Sequence, residues 1–174
     1  MIRKPKPEEY ASFYHTYVSL VEEENIVQAL RDQMVAFSSF LDKIKDDQSE
    51  FAYAADKWTI KDVLNHVNDV ERIFAYRALC IARGEQQDLP GMDENAYQEA
   101  SSTSSRAFAS LSSEFVAIRT TSLFFFDHLP EIDSLKIGKA DGKSFSVRAL
   151  GAIIVGHCQH HQNIIENRYL SCLS

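Results

Sequence analysis

Glycine and proline are scarce in this chain of 174 residues, six and four in number, and neither occurs between Glu8 and Arg83. A stretch of that length without the two strongest backbone breakers points to helix, and no convincing run of alternating residues argues for strands. No apolar run approaches the ~20 residues of a membrane-spanning helix, so no membrane partner is expected. Basic residues nowhere cluster beyond two or three, and the net charge is −7; both weigh against nucleic acid, whose binders carry a basic patch or stripe. The basic N-terminal segment Met1 to Pro7 is followed by no apolar stretch, so a secretory signal is not expected. Cysteine is sparse too: Cys80, Cys158 and Cys172 are odd in number and lack C-x-x-C spacing, which points to a reduced, cytoplasmic chain. Glu-x-x-His is absent, which disfavours a carboxylate-bridged di-iron bundle.

What is present is helical periodicity. Hydrophobic residues make up 45% of the chain, enough for one domain over residues 1–174 with a sizeable core. Four long segments carry apolar stripes at alternating steps of three and four. The first runs from about Asn25 to Ile44 through Ile26, Leu30, Met34, Phe37 and Leu41. The second begins at Thr59, where Thr59 and Asp62 resemble a capping box and Trp58 and Val63 a hydrophobic staple; it continues through Val67, Val70, Phe74, Arg77 and Ile81 to a stop at Gly84. The third carries Phe108, Leu111, Phe115, Ile118, Ser122, Phe125 and Leu129 and closes at Pro130. The fourth starts near Ser144 or Ser146 and carries Val147, Leu150, Ile154, His157, His161, Ile164 and Arg168. Shorter helices are expected over Pro7 to Val21, whose Tyr10, Tyr14 and Tyr17 read as core, and over Asp93 to Glu99, and Asp141-Gly142 marks a tight turn of hairpin type. The reading is an all-α, antiparallel four-helix bundle with a short extra N-terminal helix and one or two longer connections.

Three of the six histidines fall within Gly156-His157-Cys158-Gln159-His160-His161. His157 and His161 are four residues apart and leave a helix from one face, one turn apart, so they can address one ion. Two adjacent imidazoles buried without partners would cost several kcal/mol, so either hydrogen bonds or a metal must satisfy them. His66, beside Val63, Val67 and Val70 on another core-facing stripe, supplies a third nitrogen. Three convergent histidines make an open catalytic metal site that keeps positions for water or substrate. Such a ligand set suits Zn, Ni or Fe without choosing among them. His160 is out of phase with His161 and is read as a non-ligand, and His15 and His128 as structural or surface residues. Asp69 is in helical phase with His66 and could accept a hydrogen bond from it or serve as a base. Glu71 is a second candidate proton shuttle, with an ordinary ion pair as the default for both. Arg77 on an inward stripe calls for a carboxylate or an anionic ligand. Cys158 is read as a small buried packing residue.

The segment Trp58 to Arg72 resembles the second-helix motif of the DinB/YfiT-like superfamily of metal-dependent enzymes. Gly156 to His161 resembles its C-terminal Gly-His-x-x-His-His motif, and Ala82-Arg83-Gly84 and Leu89-Pro90-Gly91-Met92-Asp93 resemble one branch of it. The resemblance spans about Asn25 to Leu170. It implies a four-helix bundle with an unusual order of connections, a metal on His66, His157 and His161 with water completing the shell, and in many members a homodimer. Characterised relatives include transferases that use bacillithiol or mycothiol and an isomerase assisted by a thiol, while others are described as hydrolases. For this chain it implies a metal-dependent enzyme acting on a small-molecule substrate, either a thiol-dependent S-transferase or a hydrolase. The substrate-facing residues match no characterised activity. Against this stand a non-catalytic metal or small-ligand binding stress protein and a purely structural bundle.

Overall fold

In a computed structural model, which describes residues 1–173, four long helices carry the chain: α1 (Ile26–Leu41), α2 (Ile60–Ala82), α3 (Phe108–Asp127) and α4 (Val147–Ile164). Their starts follow side-chain chemistry. The Asn25 side chain accepts from Val27 N, and Ser146 accepts from Ala149 N at 3.1 Å. The Thr59–Asp62 box forms as expected: Asp62 N donates to Thr59 Oγ1 and Thr59 N to Asp62 Oδ2, at 3.1 and 3.0 Å. None of these helices is long and apolar enough to cross a membrane among the described residues.

The directions depart from the antiparallel bundle expected. Asn68 donates to Leu111 O and Arg72 pairs with Glu114, so α2 and α3 run parallel. Arg31 pairs with Asp127 and Phe37 packs on Phe115, so α1 runs against α3. Each of α1 and α2 packs on both α3 and α4, which leaves α1 and α2 on one diagonal and α3 and α4 on the other. A parallel neighbour needs a connection that travels the full length of a helix, about 34 Å for α2 at ~1.5 Å per residue. Residues 83–107 make that journey, with an α-helical stretch at Glu94–Glu99 and a 3-10 turn at Thr103–Ser105.

A small three-stranded sheet closes one end, built on the hairpin turn expected at Asp141-Gly142. Strands β1 (Asp88–Leu89), β2 (Ile137–Ala140) and β3 (Lys143–Ser146) lie in the order β1-β2-β3, β1 parallel to β2 and β2 antiparallel to β3. Segments of two and four residues are too short to show alternation. The turn was legible: Asp141 and Gly142 both adopt positive φ, 53° and 69°, as a tight two-residue hairpin requires. The N-terminal helix expected over Pro7 to Val21 is broken into 3-10 turns at Pro7–Glu9 and Ser12–Tyr14 and one α turn at His15–Val18. Tyr10 is extended at φ −153° and buried, its hydroxyl 3.1 Å from His15 Nδ1, while Glu9 is held by Arg148 and Ser146. Those tertiary contacts override the helical period.

The core has two apolar clusters, one around Leu30, Phe74, Phe126, Phe145 and Leu150, the other around Phe37, Leu64, Leu111, Phe115 and Ile165. Between them lies a buried polar network. Arg119 on α3 donates to both oxygens of Glu71 on α2 and, from Nη1, to Gln33 Oε1 and Leu30 O on α1. Gln33 in turn donates to Val155 O on α4 at 2.9 Å. Arg119 and Glu71 are 0% and 2% exposed. Removing one partner strands a buried charge, so Glu71→Ala is expected to cost ~3–5 kcal/mol of stability in urea denaturation. Replacing both partners by methionine should cost much less, and equal losses for the single and double variants would contradict this account.

Candidate metal centre

Antiparallel packing of α2 on α4 places His66 against His157 and His161. His66 Nε2 lies 3.0 Å from His157 Nε2, and His161 Nε2 lies 3.1 Å from the same atom. All three ligand atoms fall within 4.8 Å of one another. His66 and His157 are 8% and 6% exposed. Burial lowers the pKa of His66 to about 4, and burial together with the neighbouring imidazoles holds His157 and His161 well below the ordinary histidine range. All three are therefore neutral near pH 7.

A neutral ring nitrogen presents either one N–H or one in-plane lone pair, never both. His157 Nε2 therefore cannot satisfy His66 and His161 together by ordinary hydrogen bonds. A cation between three lone pairs satisfies all of them. Donors ~2.0–2.1 Å from a tetrahedral ion stand about 3.3–3.4 Å apart, close to the separations present here. The residues thus fit a divalent ion bound through three imidazoles.

The ring cluster is held from outside. Trp58 lies 5.0 Å from the His66 ring, and its carbonyl accepts from Tyr169 Oη at 2.9 Å. Tyr169 belongs to a π-helical turn, Ile165–Tyr169, that continues α4. Tyr17 meets His157 and His160 edge to face, each at 5.3 Å. Gly156 explains how the N-terminal segment comes so near. A Cβ at this position would lie 2.0 Å from the Tyr17 carbonyl oxygen, so only glycine allows the approach.

The three histidines open onto a crevice of about 310 Å³ lined also by Phe13, Tyr14, Tyr17, Trp58, Val70 and Phe74. Arg77, Met92, Glu94, Asp141 and His160 complete its polar rim and far end. Asp69 and Glu71 are not among its lining residues. Asp69 accepts from Asn65 Nδ2 at 3.1 Å and lies 3.6 Å from Arg72, its carboxyl pushed up by burial. Glu71 is engaged by Arg119. Cys158, 1% exposed, has its thiol pushed by burial up to about 12 and serves as packing. Arg77 does line the crevice. Tyr14 and Tyr17, read from sequence as core, form its wall, while Glu94 arrives from the start of the short helix Glu94–Glu99 and Asp141 from the hairpin turn, with no periodicity to mark them. A glycine inside the fourth helical stripe was the one sequence signal of the close approach.

The sequence pattern of the DinB superfamily matches residues 29–165. Among solved structures, one described as "YfiT from Bacillus subtilis is a probable metal-dependent hydrolase with an unusual four-helix bundle topology" superposes with a TM-score of 0.72 at 14% identity, covering 91% of this chain and 98% of that one. At that identity the likeness is one of fold. No curated protein matches the sequence.

Two outcomes are expected from this geometry. Gly156→Ala should drive the N-terminal segment off α4 and lower stability by ~1–3 kcal/mol, with residues near Tyr17 losing amide-exchange protection while α4 keeps its own. In metal-free protein, the unfolded chain takes up protons near pH 6.5 but folded His66 only near 4. Stability is therefore full above about pH 6.5 and falls as the pH drops from there toward 4. Urea midpoints at pH 7.5, 6.0 and 5.0 check this, and a flat profile across that range would contradict it.

Proposed function

Since the chain belongs to the DinB superfamily, we propose that it is a metal-dependent enzyme whose His66, His157 and His161 hold one divalent ion, Zn, Ni or Fe. The observation that carries the reading is the convergence of three neutral imidazole nitrogens on one point, where His157 cannot satisfy both neighbours. A divalent ion held there supplies Lewis acidity to a water or thiol that enters the crevice. The chain does the rest. Trp58, Tyr17 and Phe74 present apolar ring surface that limits water around a bound small molecule.

Two forms of reaction use this site. In the hydrolytic form, water attacks the substrate and a crevice group takes its proton; Glu94 and His160 line the crevice and are the candidates for that task, because Asp69 bonds Asn65 and Glu71 pairs with Arg119. In the thiol form, a small thiol such as bacillithiol would give up its proton to solvent once its pKa is lowered, and the thiolate would form a C–S bond to an electrophile as the leaving group departs into solvent, so no carboxylate base beside the histidines is needed. The diversion of Asp69 and Glu71 is what favours keeping that second form. Cys158 is buried behind the site, so the thiol would come from a cofactor. A reduced cytoplasmic setting and a homodimer belong to the same reading.

Elemental analysis of purified protein should find about one transition-metal ion per chain. Alanine at His66, His157 or His161 should weaken binding by more than the ~10–100-fold typical of residues behind the ligands, with the helical circular dichroism retained. A parent protein that takes up no Zn, Ni or Fe sinks the proposal. Turnover of an ester and electrophile panel only with bacillithiol selects the transferase, and turnover only without it the hydrolase.

A further inference from the structure

We propose that the crevice selects substrates bearing a carboxylate, which Arg77 receives at the end remote from the three histidines. The inference rests on the metal-centre reading above and adds the substrate class to it. On α2, His66, Val70, Phe74 and Arg77 follow at steps of four, four and three, and all four line the crevice. From His66 to Arg77 the backbone advances about 16 Å, at ~1.5 Å per residue. Helical side chains lean toward the N-terminus, and here Arg77 Cζ sits 5.1 Å from the Phe74 ring centroid. The remaining gap between guanidinium and histidine nitrogens is roughly 10 Å once an arginine's reach is subtracted. Its floor is apolar.

The two deeply buried arginines of this chain are treated differently. Arg119 is surrounded by the Glu71 carboxylate, Gln33 and the Leu30 carbonyl. Arg77 is 3% exposed, yet its one hydrogen bond runs from Nη2 to Pro90 O at 2.6 Å. A guanidinium carries five N–H donors and a charge that a single carbonyl does not neutralise. The neighbouring Asp141 carboxylate pairs with Lys143 instead, and among the described residues Arg77 forms no ion pair. Burial lowers the Arg77 pKa, and the charges of Asp141 and Asp88 nearby offset that only in part. Holding the loop at Pro90 therefore leaves most of the guanidinium's donors unused, in a side chain that lines the crevice.

The charge of the rim narrows the anion. Glu94 and Asp141 line the same crevice, which disfavours a dianionic phosphate and leaves a singly charged carboxylate, matched by the planar fork of arginine. The substrate class is thus a molecule with a metal-directed reactive group, an aromatic or aliphatic middle, and a carboxylate roughly 10 Å away by the helix spacing above.

A homologous series of ω-mercaptoalkanoates and the corresponding amides tests this on cobalt-loaded protein, where thiolate-to-cobalt absorption reports binding. Acids should bind at least about tenfold more tightly than amides at one intermediate chain length, as a charge-assisted bond implies. Arg77→Met should abolish the preference without changing cobalt content. Affinity that rises steadily with chain length, alike for acids and amides, overturns the inference and leaves the metal centre standing. Failure to bind cobalt overturns the metal centre instead. In that event 5-phenylpentanoate and its amide are compared in metal-free protein by fluorescence of Trp58, the sole tryptophan, which lines the crevice. No preference for the acid there overturns the assignment of Arg77.

Discussion

Everything in this bundle is registered to one buried ion pair, Arg119 with Glu71. Two long helices contribute the charges, α1 contributes Gln33 and the Leu30 carbonyl, and Gln33 passes the chain of bonds on to α4 at Val155. Apolar packing alone is tolerant of small rotations and slips, whereas a fully buried guanidinium with fixed acceptors is not. Hydrophobic replacements of similar volume could yield comparable stability, so the network's role is better understood as fixing which faces meet. Val155 lies two residues before His157 and Glu71 five after His66. The register set by the ion pair is thereby the register of the histidines.

The parallel course of α2 and α3 follows from the same pairing and carries a consequence for the site. A parallel neighbour obliges the chain to return along the bundle, and residues 83–107 do so across the open side of the histidine cluster. Met92 and Glu94 reach the crevice from that crossing, and Gln98 bonds Asp62 at 2.6 Å where it docks on the start of α2. The N-terminal segment covers the other side, permitted by Gly156. Two helices therefore supply the nitrogens, while two irregular segments supply the walls. A loop-built wall over a helix-held centre allows ligand chemistry to vary without disturbing the ion pair beneath.

Much of this was legible in the residue pattern. The four apolar stripes, the Thr59–Asp62 cap and the Asp141-Gly142 turn express local rules, and local rules are readable from one chain. His66, His157 and His161 stood out because imidazoles at inward positions need a reason. Helix direction was not readable, since a stripe has no polarity and the connection lengths were compatible with several orders. Nor was the partner of Glu71: Arg119 sits next to Ile118 on the third stripe, and no spacing rule joins two charges 48 residues apart. Tyr14 and Tyr17 looked like core because an aromatic at a helical step has the same signature whether it faces protein or a cavity.

An account of the buried polar groups on α2 separates scaffold from chemistry. Lys61, Asn65, His66, Asn68, Glu71 and Arg77 are all buried, a heavy polar load for one helix. Buried polar groups persist only where their hydrogen bonds are met. Lys61 is met by Glu50, Asn65 by Asp69 and Gln98, the Asn68 amide nitrogen by the Leu111 carbonyl while its oxygen has no partner among the described residues, and Glu71 by Arg119. Those four hold the helix in place. His66 meets only another imidazole at 3.0 Å, which itself has two claimants, and Arg77 meets a single carbonyl. His66 and Arg77 are the two incompletely satisfied groups of this helix that line the crevice, three turns apart on one side of it. What the protein leaves unmet at those points defines what a ligand must bring: a cation for the nitrogens and an anion for the guanidinium, joined by an apolar span of the length between them.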